Sequence, residues 1–165
     1  MSFFLFGPRG TGESTWLKQA FPAAPRLDLL DASLYLELAR DPHRLEAIIG
    51  NRPANSWVVL DEIQKAPALL DELHRLIESR RWRFALCGSS ARKLRRGGAN
   101  LLAGRALTLN MEGFSAAELG SKFDPDFSTD WGFLPSVQTD RPQAAGILAA
   151  YVNTYLKEEI REEGL

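Results

Sequence analysis

The sequence predicts an α/β fold on three observations: short apolar runs that do not alternate, amphipathic stretches between them, and a glycine-rich turn directly after the first run. Phe3-Phe4-Leu5-Phe6 places four apolar residues in succession, the pattern of a strand buried on both faces, as in a parallel sheet. Arg26-Leu27-Asp28-Leu29-Leu30, Trp57-Val58-Val59-Leu60, Phe84-Ala85-Leu86-Cys87 and Ala106-Leu107-Thr108-Leu109 supply further strands. A length of 165 residues, with 45% hydrophobic and 25% charged, suits one domain with a full core, so residues 1–165 are expected to form a single domain.

After the first strand the chain turns through Gly7-Pro8-Arg9-Gly10-Thr11-Gly12-Glu13-Ser14-Thr15. Gly7, Gly10 and Gly12 permit positive φ, so that successive N–H groups can face one concavity. Trp16, Leu17, Ala20 and Phe21 then fall at helical spacing, so the loop ends at a helix N-terminus, where partial positive charge favours an anion. This is a phosphate cradle. Gly7, Gly12 and Ser14 match the P-loop pattern GxxxxGK[ST] at every fixed position but one, because the lysine position holds Glu13. Two unit charges ~4 Å apart interact by roughly 4 kcal/mol at an effective dielectric of about 20, so a carboxylate in place of an ammonium should weaken triphosphate binding badly. In an ordinary strand-to-helix turn, Glu13 would instead be a first-turn acid worth ~0.3–1 kcal/mol against the helix dipole.

The net charge of −1 gives nothing global to attract nucleic acid or an anionic membrane. A single cysteine, Cys87, excludes an internal disulfide and a multi-cysteine metal site, and its apolar surroundings predict a buried, inert thiol suited to a reducing cytoplasm. No apolar run approaches the ~20 residues of a membrane span, and Met1-Ser2-Phe3 opens a strand without a basic leader, so the expected location is cytoplasmic with no membrane partner.

Beyond the first helix, Asp31 or Ser33 can cap a helix carrying Leu34, Leu36 and Leu38, and a short helix covers 43–49, with His43 exposed. Trp57-Val58-Val59-Leu60-Asp61-Glu62 sets two acids at the C-terminal edge of a parallel strand, the edge where α/β proteins bind ligands. With the glycine loop, this reads as a Walker B pair in which Asp61 is held near Mg²⁺ and Glu62 polarises water. Leu69, Leu70, Leu73, Leu76 and Ile77 form the apolar face of a helix over 66–79, with His74 outside that face and exposed. Arg80-Arg81-Trp82-Arg83 could touch nucleic acid, although a solvated turn is the plainer reading; Lys93, Arg95 and Arg96 with Gly97–Asn100 form a second basic surface. Gly88-Ser89-Ser90 opens at the same sheet edge as Asp61. Residues 121–140 show no clear period and read as a long connector packed through Phe123, Phe127, Trp131 and Phe133. Pro142 should start a final helix with Leu148, Tyr151, Val152, Tyr155, Leu156 and Ile160 on one side; that uncovered stripe suggests a domain cut from something longer.

The glycine loop, Leu60-Asp61-Glu62, Gly88-Ser89-Ser90 and Leu102-Ala103-Gly104-Arg105, in this order and spacing, resemble the AAA+ ATPases. More narrowly, the chain resembles the N-terminal ATPase domain of prokaryotic AAA-family proteins that carry a C-terminal domain of unknown function. The resemblance implies a three-layer P-loop NTPase fold with a mainly parallel five-stranded sheet flanked by helices, and ATP with Mg²⁺ as cofactors. It implies that Gly7, Pro8, Arg9, Gly10, Thr11, Gly12, Glu13, Ser14 and Thr15 surround the phosphates, and that Ser14 and Asp61 serve Mg²⁺. Glu62 would be the catalytic base, Ser89 or Ser90 the polar sensor near the γ-phosphate, and Arg105 an arginine finger acting on a neighbouring subunit in a homo-oligomer of the full-length form. The expected function is ATP hydrolysis, impaired by Glu13. The rival readings are a non-hydrolysing scaffold or interaction module on the same fold, and a P-loop kinase of a small molecule. DNA binding through the two basic stretches is the weakest.

Overall fold

The computed structural model describes residues 1–89, 94, 102 and 104–157. By internal contacts the chain divides into two compact units: Met1–Pro8 with Glu13–Met111, and Arg9–Gly12 with the residues from Glu112 onward.

The first unit is built on a five-stranded, wholly parallel sheet of β1 (Ser2–Phe6), β2 (Arg26–Asp28), β3 (Trp57–Asp61), β4 (Arg83–Gly88) and β5 (Ala106–Asn110), in the order β2-β3-β4-β1-β5. Side chains of the three central strands alternate between two apolar clusters, as the pleat requires. Phe4, Phe6, Val58, Leu60, Phe84 and Leu86 enter one, and Phe3, Leu5, Val59, Ala85 and Cys87 the other. The larger cluster is covered by α2 (Ala32–Arg40), α3 (Arg44–Ile49) and α4 (Leu69–Arg80) through Leu38, Leu45, Ile49, Leu69, Leu73 and Leu76. The opposite cluster is covered by α1 (Glu13–Ala20) through Leu17. Burial on both faces is why β1, β3 and β4 read as unbroken apolar runs; β5, an edge strand, leaves Leu107 and Leu109 exposed.

Local signals start and stop these helices. Asp31 caps α2, its carboxylate accepting from the N–H groups of Ser33 and Leu34 at 2.8 and 3.2 Å. The helix expected over 66–79 begins at Leu69, and Pro67 lies just before it, its carbonyl accepting from the Leu70 N–H at 3.0 Å.

In the second unit the stretch 121–140 is helical rather than a connector. It holds α6 (Pro125–Trp131) and α7 (Pro135–Thr139), after α5 (Ala116–Leu119). Each is too short to display a period, and their starts are set by local chemistry. Ser115 and Glu118 close a capping box on α5, while Asp124 accepts from Phe127 N–H at 3.0 Å with Pro125 in the first turn of α6. Pro142 falls in a 3₁₀ turn, Arg141–Gln143, and the last helix, α8, begins at Ala144 and runs to Tyr151, continuing as a π-helical segment over Val152–Leu156. Ile160 lies outside the described residues. No helix among the described residues is long and apolar enough to cross a membrane.

Candidate functional site

The loop between β1 and α1 is shaped by two glycines. Gly10 at φ +84° and Gly12 at φ +101° occupy a region that strains any L side chain. Gly7, expected to share that conformation, does not; it is buried as the continuation of β1. Pro8 is exposed and Thr11 is buried. Arg9 is exposed, with its guanidinium 5.7 Å from the centre of the Tyr155 ring within the second unit. Glu13 is the first residue of α1, followed by Ser14 and Thr15, so its carboxylate sits at the helix N-terminus.

Ser14 and Asp61, 47 residues apart in sequence, are joined directly: the Ser14 hydroxyl donates to Asp61 Oδ2 at 2.6 Å. β4 lies between β1 and β3, and the chain runs from β1 to the far side of the sheet but from β4 to β5 on the other side of β1. This reversal is the arrangement at which open α/β sheets form a ligand crevice. The remaining Asp61 oxygen accepts from the Glu62 N–H at 3.1 Å and from the Cys87 thiol at 2.8 Å. Burial, and then the Asp61 charge and its hydrogen bond to the thiol, push Cys87 far above its ordinary pKa. Cys87 is therefore buried as expected, and also a donor to Asp61, which the sequence did not disclose. Arg26, on β2, brings Nη1 to 3.7 Å from Asp61 Oδ2; that nitrogen is buried and has no hydrogen-bond partner among the described residues.

Glu62 follows Asp61 in a left-handed conformation, φ 58° and ψ 40°, uncommon for a residue with a Cβ. Its carboxylate accepts from the Gln64 side-chain amide, and the same nitrogen lies 3.4 Å from Ser89 Oγ. Glu62 and the residue after β4 are thus brought together, through a glutamine that sequence reasoning passed over. Ser90, Lys93, Arg95, Arg96 and Gly97–Asn100 lie outside the described residues.

Arg105 is placed elsewhere. In the β1–β5 register Ser2 pairs with Ala106, so Arg105 stands at the N-terminal edge of the sheet, opposite the edge where β1 ends at Phe6. Its Nε donates to Glu78 on α4.

The first basic stretch is not a stacking platform. Trp82 is 2% exposed and donates its indole N–H to the Arg52 carbonyl at 3.2 Å. Arg80 pairs with Glu46, and Arg83 donates to Asn55 Oδ1 at 3.0 Å. His43 is exposed as expected but engaged, its Nδ1 2.9 Å from Oε2 of the buried Glu72. His74, expected to be exposed, is half-buried.

Comparison with known proteins agrees with this architecture. A family model described as an AAA domain matches residues 1–120. No curated protein sequence matches the chain significantly. Among solved structures, the chain is similar to the Aeropyrum pernix ORC2 protein in its ADP form, at 14% identity over 90% of this chain and 58% of that one, with a TM-score of 0.52. The same protein in ADPNP-ADP complexes matches at 17% identity over 72% of this chain and 43% of that one, with a TM-score of 0.49. Such identities speak to fold alone, and the chain spans about half the length of these structures.

Proposed function

The chain belongs to the AAA domain family, and from that premise we propose that it is the nucleotide-binding domain of an AAA+ ATPase whose ATP binding and hydrolysis are weakened by Glu13. The observation that carries the reading is the 2.6 Å bond between Ser14 and Asp61, because it links the residue after the altered lysine position to the acid at the end of β3. A hydroxyl and a carboxylate are hard oxygen donors of the kind Mg²⁺ takes, and Mg²⁺ sites of this type use few protein ligands and complete their shell with phosphate and water. Ser14 and Asp61, joined directly, supply one donor of each kind.

In this reading the N–H groups of the Gly7–Thr15 loop and the α1 N-terminus hold the phosphates. Ser14 and Asp61 would hold Mg²⁺, which when bound neutralises charge on the β- and γ-phosphates. Glu62 accepts a proton from the attacking water, and Ser89 offers a hydroxyl toward the γ-phosphate. Arg105, at the edge of the sheet away from its own loop, would act on a neighbour's nucleotide in a homo-oligomer. Residues 1–165 would be the ATPase domain of a longer chain. The similar fold of the ORC2 protein in its ADP form is in keeping with a nucleotide as the ligand class.

The test is calorimetric titration of Mg-ATP into this chain and into Glu13→Lys. Reversal of one charge beside the phosphates should tighten binding by about 30-fold or more, a conservative share of the ~4 kcal/mol that each unit charge contributes at 4 Å. Equal dissociation constants would refute the reading, and tight binding without turnover in the lysine form would favour the scaffold alternative, which Glu13 also suits.

A further inference from the structure

We propose that Gln64 is the positioning residue of the site: its side-chain amide holds the Glu62 carboxylate and ties it to Ser89, so that the acid at the end of β3 and the hydroxyl after β4 move as one unit. The inference rests on the reading of Glu62 as the base. Three independent features carry it. The Gln64 nitrogen donates to Glu62 Oε2 and lies 3.4 Å from Ser89 Oγ, so one amide spans the ends of two neighbouring strands. Glu62 itself sits in a left-handed conformation, which is strained for a residue with a Cβ and persists only where surrounding contacts over-determine it. The third feature is Gly88: a Cβ built there would lie 1.8 Å from Gln64 Oε1 and 2.9 Å from its Cδ, so the glutamine amide fills the space a side chain at 88 would take.

The chemistry explains why a carboxamide serves here. Glu62 has two carboxylate oxygens, and a donor on Oε2 fixes the plane of the group while leaving Oε1 to accept from water. A free glutamate has three rotatable side-chain bonds, and a base misplaced by about 1 Å can lose up to about 100-fold in rate. A hydrophobic side chain at 64 would fill volume without orienting the acid. The Ile63–Lys65 turn puts Gln64 two residues from Glu62, too close for helical or strand periodicity to reveal the pairing.

The test has two arms. In the unaltered sequence, ¹⁵N-labelled and without nucleotide, the Gln64 side-chain amide resonances should shift on Glu62→Ala and, to a lesser extent, on Ser89→Ala; indifference to Glu62→Ala would overturn the clamp. In the Glu13→Lys form, Gln64→Leu should lower single-turnover hydrolysis by about tenfold or more while leaving the ATP dissociation constant within about threefold, since orientation and not binding is lost. Gly88→Ala, which displaces the amide, should reproduce that split. The double variant should lose little more than either alone, because both remove the same contact. Independent, multiplying losses in variants whose thermal melts match that of Glu13→Lys, or equal losses of binding and rate, would overturn the proposal. Absence of turnover in Glu13→Lys itself refutes the proposed function and with it the role of Gln64, whereas a silent amide resonance refutes only the clamp.

Discussion

Replacing Arg75 with methionine should destabilise the chain by about 2 kcal/mol at neutral pH, and by much less in acid. Glu72 is 3% exposed on the inner side of α4, and its charge is held by Arg75 through two bonds, Nε to Oε2 at 2.9 Å and Nη2 to Oε1 at 2.6 Å. His43 Nδ1 adds a third contact at 2.9 Å. Removing one partner of a buried ion pair costs ~3–5 kcal/mol, because the remaining charge stays desolvated. Arg75 is itself 42% exposed and His43 remains, so the lower figure of about 2 kcal/mol applies once solvent screening is allowed for. Hydrogen bonding to Arg75, against the opposing effect of burial, holds the Glu72 carboxyl below its ordinary value of 4.5. A lowered folded-state pKa contributes stability that is fully present above the unfolded value and lost as pH falls through the folded one. The penalty of Arg75→Met should therefore be greatest above pH 4.5 and shrink below it. Urea unfolding of both proteins at neutral pH and at low pH measures this, and thermal melts should show a fall of about 4–8 °C. A loss under about 0.5 kcal/mol at neutral pH, or one that does not change with pH, would refute the reasoning. The double variant Glu72→Leu with Arg75→Met should recover most of the loss, since no charge is then buried at 72 and Glu46, which also pairs with Arg75, keeps Arg80.

Other expected outcomes concern the site. In the Glu13→Lys background, Asp61→Asn should remove most of the Mg²⁺ dependence of ATP binding, read from dissociation constants with and without the ion; an unchanged dependence would exclude Asp61 from the metal site. Glu62→Gln in that background should retain ATP binding and lose hydrolysis by about 100-fold or more, because the amide keeps size but cannot take a proton from water; undiminished turnover would reopen the kinase reading. Arg105→Ala should lower turnover only where subunits associate, and mixing it with Glu62→Gln subunits should restore part of the activity. Turnover that is independent of concentration and survives Arg105→Ala would end the case for a finger acting across an interface, a contribution worth ~10³–10⁵ in rate where such fingers operate.

The α/β class, the number and places of the strands, and the loop that joins β1 to α1 were legible in the sequence because each rests on neighbours within a few residues. Phe3 to Phe6 is apolar without alternation since both faces of β1 are covered, and Gly10 and Gly12 were identifiable because a left-handed backbone needs them. Asp61 and Glu62 could be picked out because they end such a run. The short helices between Ala116 and Thr139 were invisible because four to seven residues do not make a period. What the tertiary structure alone decided is which distant residues meet: Ser14 with Asp61 across 47 positions, Cys87 with Asp61 across 26, Gln64 with Ser89 across 25, and His43 with Glu72 across 29. Strand order decides these meetings. Putting β4 between β1 and β3 carries Cys87 and Ser89 to the edge that holds Asp61, and pairing Ser2 with Ala106 sends Arg105 to the opposite edge. Periodicity and propensity are properties of a segment, whereas the order of strands depends on the packing of every segment at once, and a single segment carries no record of it.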